Sequence, residues 1–246
     1  MPSFDAPSSA APSFDVVDWG RLGWEEAWQR QQAHVARRKQ SLGRDTLFFV
    51  EHDPVITLGR NAELRNILAS PEALAQRGIS VAEANRGGDV TFHGPGQLVG
   101  YPIFDLHGWK KDVRAYVETL EHGIVAALAE FGVEAHARSG KETGVYVENA
   151  QGAPAKICAL GVHISRWVTC HGFALNIDTD LRFFETIVPC GLSLPVTSLA
   201  ALGVKATRAE VQDAVVRQLA GLFHFSSPTI PATPEPRERE LEEIQP

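Results

Sequence analysis

Two side chains sit in settings where they could do covalent work. Lys156 opens the apolar run Lys156-Ile157-Cys158-Ala159-Leu160-Gly161-Val162. An ammonium group there either snorkels from a strand end to water, or is desolvated, which lowers its pKa and makes it a proton-transfer group. Cys190 stands in Ile187-Val188-Pro189-Cys190-Gly191-Leu192, between a residue of fixed φ and one of free φ. That setting can present a thiol at a sharp turn as a nucleophile; the alternative is a small buried hydrophobe. Cys158, inside an apolar strand, reads as inert core.

Cys170-His171, with His163 nearby, raises the question of a metal or a Cys–His dyad. Adjacent strand residues point to opposite faces, so this spacing is poor for zinc. Cys170 is read as structural and no metal is expected. His93 is the better candidate, either touching substrate or bracing a loop. It lies in the segment from Asn85 to Pro102, where Gly87, Gly88, Gly94 and Gly96 permit positive φ and close approach to the backbone. Arg86, Thr91, His93 and Gln97 in the same segment are placed to bind or orient a ligand.

The rest of the chain must position these groups. It has 246 residues, 44% of them hydrophobic, enough for one sizeable core. A formal charge of -7 argues against a nucleic-acid partner, which normally meets a concentrated basic surface. Apolar runs are too short to cross a bilayer and the N-terminus lacks a basic start and an apolar segment, so no membrane partner and a cytoplasmic location are expected. Three cysteines without close-pair spacing suggest reduced thiols.

Helical patterns are predicted at Trp24 to Lys39, at Ser70 to Gly78 with Pro71 in the first turn and Gly78 just past the end, at Val113 to Phe131, read as packing, and at Arg208 to Phe223 behind a Thr207 cap. Strand patterns are predicted at Thr46 to His52, Val55 to Gly59, Tyr101 to Leu106, Gly144 to Glu148, Lys156 to Ile164 and Val168 to Ile177. Short turns between the later strands imply antiparallel pairing, and the whole reads as α+β. The expected organisation is a disordered tail at 1–14, one domain at 15–225 and a disordered Pro/Glu-rich tail at 226–246.

Taken together, Arg86-Gly87-Gly88, Thr91-Phe92-His93, Gly96-Gln97 and Tyr101-Pro102 resemble the signature of the lipoyl(octanoyl) transferases. The resemblance extends from Pro71-Glu72 through Thr143-Gly144-Val145-Tyr146-Val147, the Lys156 to Val162 run and Gly172-Phe173-Ala174-Leu175-Asn176 to Pro189-Cys190-Gly191. It implies a fold shared with biotin protein ligases and lipoate ligases, a mixed, largely antiparallel sheet flanked by helices. It implies Cys190 as the acyl-accepting nucleophile and Lys156 as its partner. It also implies an acyl pocket made by Arg86, Gly87, Gly88, Asp89, Val90, Thr91, Phe92 and His93, by Ala159, Leu160 and Gly161, and by Gly172, Phe173 and Ala174. Cys158 departs from the family's usual small apolar residue.

The implied donor is octanoyl-acyl carrier protein. The implied acceptors are lipoyl domains of 2-oxoacid dehydrogenase complexes and the glycine cleavage H protein, with no cofactor. A cysteine suits a thioester donor because the exchange keeps the bond type. Oxyanion donors are expected from backbone N–H groups near Gly191-Leu192 or the Gly87-Gly88 turn. Small residues at Gly161, Gly172 and Ala174 are expected to leave room for the chain. Two alternatives differ in class: an ATP-dependent lipoate or biotin ligase, which does not need Cys190, and a binding module that holds an acyl group or lipoyl domain without turnover.

Overall fold

The computed structural model describes residues 13–149, 152–189 and 194–225. Both expected tails, apart from residues 13 and 14, lie outside the described residues, and so does Cys190. In chain order the elements are β1 (Asp15–Leu22), α1 (Trp24–Lys39), β2 (Thr46–His52), β3 (Val55–Leu58), α2 (Pro71–Gln76), β4 (Ser80–Glu83), β5 (Val90–His93), β6 (Gln97–Ile103), α3 (Val113–Ala129), β7 (Ala135–Arg138), β8 (Gly144–Glu148), β9 (Pro154–Ser165), β10 (Val168–Asn176) and α4 (Arg208–Leu222).

Among the described residues, seven strands form one sheet in the order β1-β2-β6-β10-β9-β8-β7, and β4-β3-β5 form a second. Two pairs, β1 with β2 and β3 with β4, are parallel; the others are antiparallel. The fold is thus α+β with a mixed, largely antiparallel sheet, as expected. One face of the large sheet carries α3 and α4 over a core that includes Phe49, Tyr116, Leu120, Val145, Ile157 and Leu219. The other face carries α1, with Trp24 and Val35 packed against Phe48, Val99 and Tyr101. The small sheet closes on α2 and a 3-10 turn at Leu181–Thr186 through Ile56, Leu74, Phe92 and Phe184.

The helix ends follow from local chemistry. Glu25 and Glu26 occupy the first turn of α1 and Arg37, Arg38 and Lys39 the last, complementing the helix dipole. The Ser70 hydroxyl accepts the Ala73 N–H ahead of α2, and Asp112 accepts the Ala115 N–H ahead of α3. Thr207 and Glu210 form the reciprocal capping box that starts α4.

Four strands escape the sequence patterns. β1 and β7 are edge strands with little alternation, and β4 is a short, largely exposed edge. β5 sits inside the glycine segment, which is not one loop: β5 belongs to the small sheet and β6 to the large one, joined by a turn in which Gly96 has φ +79°. Phe14, assigned by sequence to the N-terminal tail, is instead fully buried, its ring centroid 5.5 Å from Phe104 and 5.1 Å from Phe225.

Candidate active site

Where the two sheets meet lies a cleft whose empty space, counted with the solvent at its open mouth, is about 440 Å3. The glycine segment supplies Arg86, Gly88, Thr91 and His93 to its wall, β9 supplies Ala159, Leu160 and Gly161, and β10 supplies Gly172, Phe173 and Ala174. Ten of the fourteen residues expected in the acyl pocket therefore do line one cavity. The other four, Gly87, Asp89, Val90 and Phe92, do not, and for Val90 and Phe92 the reason is strand geometry. Along β5 the side chains alternate, so Thr91 and His93 face the cavity while Val90 and Phe92 turn into the small-sheet core. There Phe92 stacks 4.9 Å from Phe183.

Asp89 is a brace. Its carboxylate accepts the Glu63 N–H at 3.0 Å and the Asn66 side-chain N–H at 2.5 Å, while the Asn66 carbonyl accepts the Val188 N–H at 2.7 Å. The Gly87 N–H donates to the Val162 carbonyl at 2.9 Å, so this donor is spent on structure rather than offered to an oxyanion. Gly191 and Leu192, the other expected donors, lie outside the described residues.

The glycine at 172 does not leave room for a chain as expected. A Cβ there would lie 2.2 Å from the Gly100 carbonyl oxygen. The residue is glycine because the backbone of β6, the antiparallel neighbour of β10 in the sheet, comes this close at that point.

Four lining residues fall outside the sequence expectation for the pocket: Trp24, Val99, Tyr101 and His171. Trp24 and Trp28, one helical turn apart in α1, stack nearly parallel to His171 at 6.0 and 4.9 Å, and Trp24 lies parallel to His93 at 6.1 Å. The paired tryptophans and the motif tyrosine were the available signals. His171 escaped because the alternation rule fails locally. Its φ is +60°, so Cys170 and His171 both face α1: the Cys170 thiol lies 3.5 Å from Gln31 Oε1, and the His171 ring lies on Trp28.

The three histidines here are buried and their protons are fixed by partners. Burial lowers the pKa of His52 to about 4 and that of His171 to about 3, and holds His93 well below its usual value. His52 donates from Nδ1 to the Leu22 carbonyl at 2.9 Å, which leaves Nε2 to accept from the Tyr101 hydroxyl at 2.7 Å. The Gln97 amide donates to the Phe92 carbonyl and to Asn176 Oδ1, so its oxygen accepts from His93 Nδ1 at 2.8 Å. His171 Nε2 donates to Asn85 Oδ1 at 2.7 Å. His171 Nδ1 is then a bare acceptor, buried without a hydrogen bond.

Arg86 is 7% exposed, its guanidinium donating to the Thr57 carbonyl at 2.6 Å, the Thr57 hydroxyl at 2.8 Å and the Gly87 carbonyl at 3.0 Å. Its charge also helps hold His93 and His171 neutral.

Lys156 lies three residues before the cavity wall on β9 and is 6% exposed, so the snorkelling alternative does not describe it. Its ammonium nitrogen donates to the Thr143 carbonyl at 3.3 Å and sits 5.2 Å from the centre of the Tyr146 ring. Its backbone is paired with the segment that follows Cys190: the Lys156 N–H donates to the Pro195 carbonyl at 2.8 Å and the Thr197 N–H to the Lys156 carbonyl at 2.9 Å. The Asn176 side chain donates to the Thr197 carbonyl at 3.0 Å. Side-chain and backbone bonds thus run from His93 through Gln97, Asn176 and Thr197 to the Lys156 strand. Cys158 and Cys170 are both buried; burial drives the Cys158 thiol far above its ordinary pKa and Cys170 up to about 12. Neither is a thiolate at neutral pH.

Comparison with known proteins adds the family. Curated relatives include the "Octanoyltransferase" of Solibacter usitatus, 53% identical over 84% of this chain and 91% of its own length, and that of Koribacter versatilis, 49% identical over 85% and 83%. Among solved structures, a bi-partite lipoate protein ligase from Thermoplasma acidophilum superposes with a TM-score of 0.67 at 18% identity, covering 95% of this chain and 93% of that one. Lipoate-protein ligase A bound with ATP superposes at 0.65 and 18%, covering 95% of each. At those identities the structures speak for the fold alone. The sequence model of the lipoyl protein ligase A/B catalytic domain matches residues 24–220, and the chain belongs to that family.

Proposed function

We propose that this chain is an acyltransferase that moves an octanoyl group from octanoyl-acyl carrier protein onto a lysine of lipoyl domains, through a thioester on Cys190. The relatives named octanoyltransferase support the class of reaction. The observation that carries the mechanism is Lys156, whose side chain is buried three residues before the cavity wall on β9 and whose backbone N–H donates to the carbonyl of Pro195, five residues after Cys190. A tether of that length, at most about 17 Å when fully extended, allows a thiol at 190 to reach the amine.

In the first half-reaction the Cys190 thiolate attacks the thioester carbonyl of the donor. A new C–S bond forms, the bond to the carrier sulfur breaks, and the Lys156 ammonium gives its proton to the departing carrier thiolate. In the second half the neutral Lys156 amine takes a proton from the acceptor lysine as that nitrogen attacks the acyl carbon. An amide forms and Cys190 leaves as thiolate, restoring the starting pair. The cavity holds the alkyl chain, each buried methylene contributing about 0.8 kcal/mol. The acceptors are lipoyl domains of 2-oxoacid dehydrogenase complexes and the glycine cleavage H protein, and the reaction runs in the cytoplasm. Among the described residues, no helix is long and apolar enough to cross a membrane.

Intact mass after incubation with octanoyl-acyl carrier protein alone tests this reading. The wild type is expected to gain one octanoyl group, mapped to Cys190, and Cys190→Ser none under the same exposure. A wild type that stays unmodified, or acylation that survives in Cys190→Ser at the wild-type rate, refutes it.

A further inference from the structure

We propose that Glu121 is a positioning residue that sets the charge of Lys156 through a single peptide unit. Glu121 lies on α3, in line with the core residues Leu120, Ile124 and Leu128, and is 1% exposed. A carboxylate in such a place is costly unless something on the protein uses it. Its Oε1 accepts the N–H of Gly144 at 2.9 Å. The carbonyl of that same peptide, Thr143 O, accepts from Lys156 Nζ at 3.3 Å. One amide therefore stands between an acid and an amine, its donor end on the carboxylate and its acceptor end on the ammonium.

The polarity of that arrangement is one-way. A negative charge at the N–H end polarises the amide and makes its oxygen a stronger acceptor, which favours the charged form of Lys156; the field of the carboxylate acts in the same sense. Gly144 is the residue that lets the unit fit. Its φ is +148°, and a Cβ there would lie 2.9 Å from the Cys158 carbonyl oxygen and 3.2 Å from Lys156 Cε.

The other groups facing the amine, among the described residues, are the Tyr146 ring of β8 and the protonated Cys158 thiol of its own strand. The Arg138 guanidinium lies 4.9 Å from the same Tyr146 ring and is paired with Glu142. Burial raises the pKa of Glu121 and Glu118 on α3 adds to that, while the Gly144 N–H and the Lys156 ammonium favour its ionised form. Glu121 is the buried anion of this set.

The inference rests on the proposed pairing of Lys156 with Cys190, and alkylation of the thiol separates the two. Cys158 and Cys170 are buried, so the pH dependence of iodoacetamide labelling, with Cys190→Ser as blank, reads Cys190. Glu121→Gln keeps an oxygen for the Gly144 N–H and removes the charge. It is expected to raise the labelling midpoint by about one pH unit with an unchanged unfolding temperature. Lys156→Ala is expected to raise the midpoint at least as far, and adding Glu121→Gln to it to change nothing more. Glu121→Asp, which keeps the charge but draws it back, is expected to fall between.

A Glu121→Gln profile that overlays the wild type, while Lys156→Ala shifts, overturns the role of Glu121 and leaves the pairing standing. A Lys156→Ala profile that does not move refutes the pairing and the inference with it.

Discussion

Acid should weaken this fold through its buried histidines, and the size of the effect follows from where their pKa values lie. His52 and His171 titrate near 4 and near 3 in the folded protein and near 6.5 when unfolded. Between those values the unfolded chain carries a proton on each ring and the folded chain does not. Stability is therefore complete above pH 6.5 and falls as pH drops towards 4. At pH 5, about 1.5 units below the unfolded pKa, each histidine costs about 2 kcal/mol relative to pH 8. His93, held well below its usual value by burial, acts with the same sign.

Asp45 and Glu121, whose pKa values burial raises, act with the opposite sign as they protonate, so the wild-type curve alone does not isolate the histidines. A difference does. In His171→Gln the side-chain amide replaces the Nε2 donor to Asn85 with a group that does not titrate. Urea unfolding of both proteins at pH 8, 6.5 and 5 is expected to show the stability gap between them moving by about 2 kcal/mol in favour of the variant on acidification. A gap that stays constant from pH 8 to pH 5 would refute the claim that His171 is held neutral by the fold.

Three substitutions probe other parts of the argument. Gly172→Ala places a methyl 2.2 Å from the Gly100 carbonyl oxygen, where no rotamer can relieve it; a loss of about 3 kcal/mol or more in denaturant unfolding is expected, and a loss under 1 kcal/mol would show the strands part easily. Ala174→Leu adds three carbons to the cavity wall; excluding about two methylenes of a bound chain, at about 0.8 kcal/mol each, it should lower octanoyl transfer roughly tenfold relative to butanoyl in a competition assay; an unchanged ratio would place the chain elsewhere. Thr207→Ala removes one half of the α4 capping box and should cost about 1 kcal/mol of stability without altering acylation, as checked by thermal unfolding and the mass assay.

Much of this site was legible in the sequence, and the gaps have physical causes. The helix bounds came through because caps and 3.6-residue periodicity are local. On β9 and β10 the residues that the resemblance implied for a pocket, Ala159, Leu160, Gly161, Gly172, Phe173 and Ala174, all line one cavity, because the two strands are paired side by side there. The resemblance failed on β5, where a contiguous reading counted Val90 and Phe92 that the pleat turns away. Sequence places residues on a strand; it does not say which face a second sheet will cover.

His171 shows the converse failure. The alternation rule put Cys170 and His171 on opposite faces, and a single residue at φ +60° put both against α1. Histidine tolerates that conformation better than most side chains, but nothing in the letters Thr-Cys-His-Gly says that it is used. Nor could composition tell that glycine at 172 serves a close approach of two paired strands while glycine at 144 lets a peptide reach a lysine. The two look alike in sequence and differ only in what stands 2–3 Å away.

Glu121 carries the same lesson to the chemistry. Helical spacing marked α3 as packing, and most of it is, yet the one acid in its buried stripe is bonded to Gly144 rather than to water. Burial keeps His93 and His171 of the cavity wall neutral, with the charge of Arg86 acting in the same sense, and Lys156, the buried amine among the described residues, faces a carboxylate through an amide. In the proposed thioester relay this arrangement separates two tasks: a cavity wall whose histidines are neutral and whose cation, Arg86, is bonded to Thr57 and Gly87, and an amine beside the chain that leads from Cys190. The separation predicts that His171→Gln, which leaves the charge of the wall as it is, should barely move the pH dependence of Cys190 labelling, whereas Glu121→Gln should move it. Equal shifts from both variants would mean that the histidines and Lys156 titrate as one network, and the division drawn between wall and acid–base pair would be wrong.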